Sequence, residues 1–142
     1  MIWSLVLIPL IVLGWYWFEG RWDRRLFKLE PGRECHNKRA RDAKALLEPR
    51  PDTQVLDVRS DAEFSRGALP DAIHLAIGDP AFRQEAAKLD KVRPVLVYCA
   101  GGYRSRKAVS ILRELGFVSI HNLHRGFHSW RLAGLPVDLI RR

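Results

Sequence analysis

The sequence is poor in cysteine. Its 142 residues include two, Cys35 and Cys99. One disulfide at most could form, so a disulfide scaffold is excluded, and the spacing fits no zinc pattern. Such sparing use points to a reducing compartment, with Cys99 as a free thiol. Internal repeats, low-complexity tracts and RGG-type or lysine-rich runs are also missing. The formal net charge is nevertheless +8, from 24 basic and 16 acidic residues. Basic residues scattered in this way argue against a nucleic-acid partner and leave anionic lipid or an anionic substrate. With 47% hydrophobic and 28% charged residues, the balance is that of a globular chain. The length suits one domain.

Charge is absent altogether from residues 2–18, IWSLVLIPLIVLGWYWF. As a helix this stretch extends about 25 Å at ~1.5 Å per residue, against a hydrocarbon core of ~30 Å. Trp3 at one end, and Trp15, Tyr16, Trp17 and Trp22 at the other, suit the headgroup level. Pro9 would kink such a helix, which membranes tolerate. No basic residue precedes the run, and bulky aromatics fill the place of a small-residue cleavage site, which argues against a signal peptide. The expectation is therefore a transmembrane anchor over residues 1–19, holding the chain in a lipid bilayer through residues 2–18. Arg21, Arg24, Arg25 and Lys28 follow it, so the positive-inside tendency places the C-terminal part in the cytoplasm. Residues 20–38, broken by Pro31-Gly32, read as a basic juxtamembrane linker with room for a short strand near 33–37. Cys35 lies there and reads as an inert thiol, with lipidation or a resolving role as alternatives.

From residue 39 to residue 142 the pattern is that of a domain in which helices and strands alternate. RARDAKALL is a short helix, TQVLDVR a strand, DAEFSRG a helical turn and AIHLAI a strand. PAFRQEAAKL is a helix with Pro80 suited to its first turn. PVLVYC is apolar on both faces, as in a covered parallel sheet. Residues 104–115 place Ala108, Ile111, Leu112 and Leu115 on one helical face, and Gly116 ends the helix. VSIHNL is a strand and GFHSWRLAG a final helix. This order predicts an open parallel α/β sheet, whose ligands bind beyond the carboxyl ends of the strands.

Cys99 lies at such an end, in VLVYCAGGYRSRKA (residues 95–108). A thiol ordinarily ionises near pH ~8.5, and helix N-termini and nearby cations favour its thiolate. Gly101 and Gly102 let backbone N–H groups turn inward, Arg104 adds a fixed charge, and Ser105 can cap the helix or donate to an anion. The result is a cysteine nucleophile at the floor of an anion-binding cradle. An ordinary buried cysteine is the alternative.

CAGGYRS followed by a helix resembles the active-site loop of the rhodanese-like sulfurtransferases. LDVRSDAEFSRGALPDAIHLA (56–76) and LRELGFVSIHNLHRGFHSWRLAGLPV (112–137) resemble two further stretches of that family, the second through Gly126, Trp130 and Gly134-Leu135-Pro136. The resemblance covers roughly residues 33–138. It implies a five-stranded parallel sheet with helices on both faces, preceded here by the transmembrane helix. It also implies ping-pong transfer, in which Cys99 takes the outer sulfur of a small anionic donor such as thiosulfate. Cys99 holds that sulfur as a persulfide and passes it to cyanide or to a small-molecule or protein thiol. Ala100, Gly101, Gly102, Tyr103, Arg104 and Ser105 would bind the donor and the sulfur, while Asp57 and Arg59 brace the loop. No metal or organic cofactor is implied. Two positions depart from the family pattern: Ala68 replaces a common histidine, and Arg125 replaces the first of two glycines.

Phosphatases of related fold place five residues between cysteine and arginine. Here four separate Cys99 from Arg104, and Ser105 stands in the sixth place, which suits a sulfur atom better than phosphate. His121, His124 and His128 do not read as a metal site. The alternative from another class is a membrane-tethered binding or regulatory module without significant turnover.

Overall fold

The computed structural model describes residues 2–28, 30–49 and 51–139, and side chains from Leu7 onward. In chain order the elements are α1 (Ile2–Leu26), β1 (Glu34–Lys38), α2 (Ala40–Leu47), β2 (Gln54–Asp57), α3 (Asp61–Phe64) and β3 (Ala72–His74). They continue with α4 (Phe82–Ala86), β4 (Val95–Tyr98), α5 (Tyr103–Glu114), β5 (Ser119–Leu123) and α6 (Gly126–Leu132). The five strands form one sheet in the order β1-β5-β4-β2-β3, and every pair is parallel.

The central strand β4 explains why the sheet is covered twice. Val95, Leu96, Val97 and Tyr98 are all fully buried, so both faces of the strand need apolar partners. Val95 and Val97 pack with Phe82 and Ala86 of α4 and Ala108, Val109 and Leu112 of α5. Leu96 and Tyr98 pack on the other face with Ala40 and Ala43 of α2 and Phe127 and Trp130 of α6. Each buried Val, Leu or Phe among these contributes about 1.5–3 kcal/mol of apolar burial. The predicted alternation, the five strands and the helices on both faces are thus present.

The N-terminal region differs from expectation. No helix among the described residues is long and apolar enough to cross a membrane, so the transmembrane anchor over residues 1–19 is corrected. The charge-free run contains Pro9 and Gly14 and ends in Trp and Tyr rings that carry polar groups. The helix then continues through Glu19, Arg21, Asp23, Arg24 and Arg25. Trp3, expected at the headgroup level, lies outside the described side chains. The stretch read as a linker, 20–38, holds the last turns of α1 and all of β1, which pairs with β5 from Glu34 opposite Ser119 to Lys38 opposite Leu123.

Candidate active site

Cys99 follows the last residue of β4, and its 1% exposure puts the thiol at the floor of the loop. The loop turns at Gly102, which has φ +98° and serves as N-cap of the twelve-residue α5. That conformation aims an amide at the sulfur: Gly102 N–H donates to Cys99 Sγ at 3.1 Å. The Cys99 thiol donates to Ser105 Oγ at 3.6 Å, and the Ser105 hydroxyl donates to Gly102 O at 3.2 Å. Ser105 therefore faces the sulfur and does not cap α5. Gly101 is not a positive-φ position and has open space where a Cβ would lie, so its glycine is not required by the turn.

A second element holds the loop from behind. The first amides of α6 take its carbonyls: Phe127 N–H donates to Cys99 O at 2.8 Å and His128 N–H to Ala100 O at 3.1 Å. A peptide plane carries its C=O and N–H on opposite sides. Carbonyls drawn towards α6 therefore turn the Ala100 and Gly101 amides away from that helix. Approach is so close that a Cβ on Gly126 would lie 2.2 Å from Cys99 O. The residue before it, Arg125, has φ +56°. A glycine would sit there without strain, which is the physical content of the departure noted at this position.

Asp57 and Arg59 pair beneath the turn at Gly67. Both are buried. Arg59 Nη2 donates to Asp57 Oδ2 at 2.6 Å and to Gly67 O at 2.7 Å, and the guanidinium lies 4.0 Å from the Phe127 ring centroid. Burial alone would weaken the guanidinium's hold on its proton, but hydrogen bonds and charge from Asp57 and Tyr98 outweigh it and keep Arg59 protonated. Tyr98, which the sequence did not single out, donates to Asp57 Oδ2 at 2.6 Å and accepts from Leu69 N–H. Burial first, and then the charge of Asp57, hold this phenol protonated.

Arg104 is placed at the mouth but is already engaged. Its Nη1 and Nη2 donate to Glu63 Oε2 and Oε1, both at 2.7 Å. That fork draws the Glu63 carboxyl down to about 2, against an opposing effect of burial and with help from Ser60. Glu63 was missed as a site residue, although its signal was present as the capping box Ser60-Asp-Ala-Glu63. A surface cavity of about 660 Å³ opens beside this pair, lined by Ser60, Asp61, Ile77, Tyr103, Arg104 and Lys107 among others. Ala100 is half-buried, and Gly101 and Tyr103 are exposed at the rim.

Cys35 packs into the core of β1. Burial pushes its thiol up to about 11, partly countered by Arg113, so it is un-ionised at neutral pH. His121 stacks on His36 with ring centroids 5.7 Å apart, His124 Nδ1 lies 3.1 Å from Asn37 Nδ2, and His128 is exposed on α6. Among the described residues no three His, Cys, Asp or Glu side chains converge in a way that could hold a metal ion.

A family description, the rhodanese-like domain, matches residues 39–133. A sulfurtransferase of Allochromatium vinosum is 32% identical over 99 residues, which make up 68% of this chain and 91% of that protein. The thiosulfate sulfurtransferase GlpE of Coxiella burnetii is 32% identical over 80 residues, 56% of this chain and 73% of that protein. Other curated relatives carry the stretch as only 37% or 29% of their own length. The crystal structure of a rhodanese-related protein from Thermoplasma volcanium superposes with a TM-score of 0.65 at 31% identity, covering 73% of this chain and 98% of that one.

Proposed function

The chain belongs to the rhodanese-like domain family, and from that membership we propose that it is a sulfurtransferase carrying the transferred sulfur on Cys99. The observation that supports this reading most directly is the Gly102 amide held 3.1 Å from Cys99 Sγ. In the first half-reaction the Cys99 thiolate attacks the outer sulfur of a donor such as thiosulfate. A Cys–S–S bond forms, the donor's S–S bond breaks, and sulfite leaves with the electron pair. In the second, cyanide or a thiolate attacks the outer sulfur of the persulfide, and the Cys99 thiolate is released. Backbone N–H groups stabilise the anionic sulfur in both steps. The 1% exposure of Cys99 favours donors that present a slender terminal sulfur. Tyr103 and Arg104 at the rim receive the anionic end of the donor, the latter in exchange with Glu63. No metal or organic cofactor takes part.

The test uses the purified chain with thiosulfate and cyanide, alongside Cys99→Ser. Turnover should depend on Cys99, and mass spectrometry should find one labile sulfur added to that residue. A second reading, a binding module without turnover, draws on the pairing of Arg104 with Glu63, which occupies the cation expected to meet substrate. Absence of both turnover and persulfide with any sulfur donor would select it.

We infer the place of action from the surface of α1. Leu7, Ile8, Leu10, Ile11, Leu13 and Trp17 are exposed on it, and Arg21, Arg24 and Arg25 follow. Exposed apolar surface with a basic collar suits an anionic lipid surface, each cation adding about 1 kcal/mol there. The reading is therefore an enzyme attached to an anionic membrane surface through residues 7–18.

A further inference from the structure

Arg106 was not singled out by the sequence, yet it is a buried charged side chain packed against the loop. It sits on α5 with 3% exposure. Its Nη1 donates to Gly102 O at 2.9 Å. Its Nε and Nη2 donate to Asp23 Oδ1 and Oδ2 at 2.6 and 3.1 Å, and Glu19 Oε1 lies 3.9 Å from Nη1. Asp23 and Glu19 belong to α1, outside the 39–133 stretch that carries the family resemblance.

The fork onto Asp23 fixes the plane of the guanidinium, and that plane leaves Nη1 aimed at Gly102. Gly102 is the residue whose amide points at the sulfur. A Cβ added to Gly102 would lie 3.3 Å from Arg106 Nη1 and 3.2 Å from Arg125 N, so the guanidinium packs directly against this turn. A buried guanidinium without its carboxylate does not stay in place, because an uncompensated buried charge is costly. His124, whose proton affinity is lowered by burial and then by Arg125 and Arg106, shows the local surplus of positive charge that Asp23 and Glu19 offset.

We propose that Asp23 is a positioning residue for sulfur transfer, acting through Arg106 to keep the Gly102 turn aimed at Cys99. The connection runs Asp23–Arg106–Gly102–Cys99, from a helix outside the domain to the reacting sulfur. It rests on the sulfur-transfer reading. The persulfide adds an atom at Sγ, and an anchored turn keeps its amide on the developing charge, where a loosened one does not.

The experiment compares the full chain with Asp23→Asn, Asp23→Glu, Arg106→Met and the Asp23→Asn/Arg106→Met double variant. kcat is expressed per titratable Cys99 thiol. Asp23→Asn should lower kcat about tenfold with KM for thiosulfate within about twofold, and Asp23→Glu should recover most of the loss. The double variant should be no slower than Arg106→Met alone. An unchanged kcat in Asp23→Asn, or additive losses in the double variant, overturns the proposal. So does a lower unfolding midpoint with kcat per thiol intact. If Arg106→Met does not fold, the split between kcat and KM in Asp23→Asn decides. If the wild-type chain transfers no sulfur, that failure belongs to the enzyme reading. The connection is then judged by the iodoacetamide alkylation rate of Cys99, which should differ at least threefold between wild type and Asp23→Asn. Equal rates overturn it.

Discussion

Gly126 and Gly101 make opposite predictions within a few ångströms of each other. At Gly126 an alanine would drive its Cβ to 2.2 Å from Cys99 O and 2.7 Å from Ala100 O at φ +56°. Gly126→Ala should therefore cost at least about 2 kcal/mol in urea unfolding and abolish sulfur loading. Gly101→Ala meets open space and should leave both measurements close to wild type. Arg125→Gly should stabilise the protein by about 0.5–1 kcal/mol, because it relieves a left-handed non-glycine residue. Cys35 packs in the core with its thiol raised to about 11. It should stay unlabelled by iodoacetamide at pH 8 until urea unfolds the chain, as peptide mapping will show. Cys99, its strand and its loop were legible because apolar run, thiol, glycine pair and helix are contiguous in sequence. Arg106 and Asp23 were not. Their ion pair joins residues 83 positions apart, and no local pattern distinguishes a buried arginine from a solvated one.

At the scale of elements, α3 and α5 are joined by Glu63 and Arg104. The sign of its pH dependence follows from the lowered carboxyl. Glu63 ionises near 4.5 when unfolded and near 2 when folded, so the pair's stabilisation is complete above about pH 4.5 and is lost as pH falls towards 2. Both side chains are about a third exposed, which limits the amplitude to about 1 kcal/mol or less. Urea midpoints of wild type and Glu63→Gln should converge over that interval. Behind the loop, Asp57→Ala strands the Arg59 charge in the core and should cost about 3–5 kcal/mol. The strand and helix order was readable because β4 is apolar on both faces and Gly67 and Gly116 mark helix ends. The extent of α1 was not. Its continuation past residue 19 depends on Glu19 and Asp23 docking on α5, and Trp15 and Trp22 closing on the Tyr103 ring at 6.4 and 5.2 Å. A helix read from its own composition shows none of this.

Over the whole molecule, α1 carries two different surfaces on one rod. Its exposed apolar half suits a lipid surface, while its charged half touches the sulfur loop. Sedimentation with anionic and with uncharged vesicles should show binding to the former that weakens at high salt. Removal of residues 1–28 should abolish that binding and lower transfer activity without unfolding the sheet, as circular dichroism would report. Vesicle binding that survives the truncation would separate the helix from the membrane role.

The loop around Cys99 is held by main-chain groups: the Cys99 and Ala100 carbonyls tied to α6 on one side, the Gly102 amide on the sulfur on the other. Its polarity is therefore not spelled by the identity of residues 100, 101 and 103. A library that varies those three side chains explores donor shape while the sulfur-binding chemistry stays constant, with Gly102 and Gly126 as the two codons to leave alone.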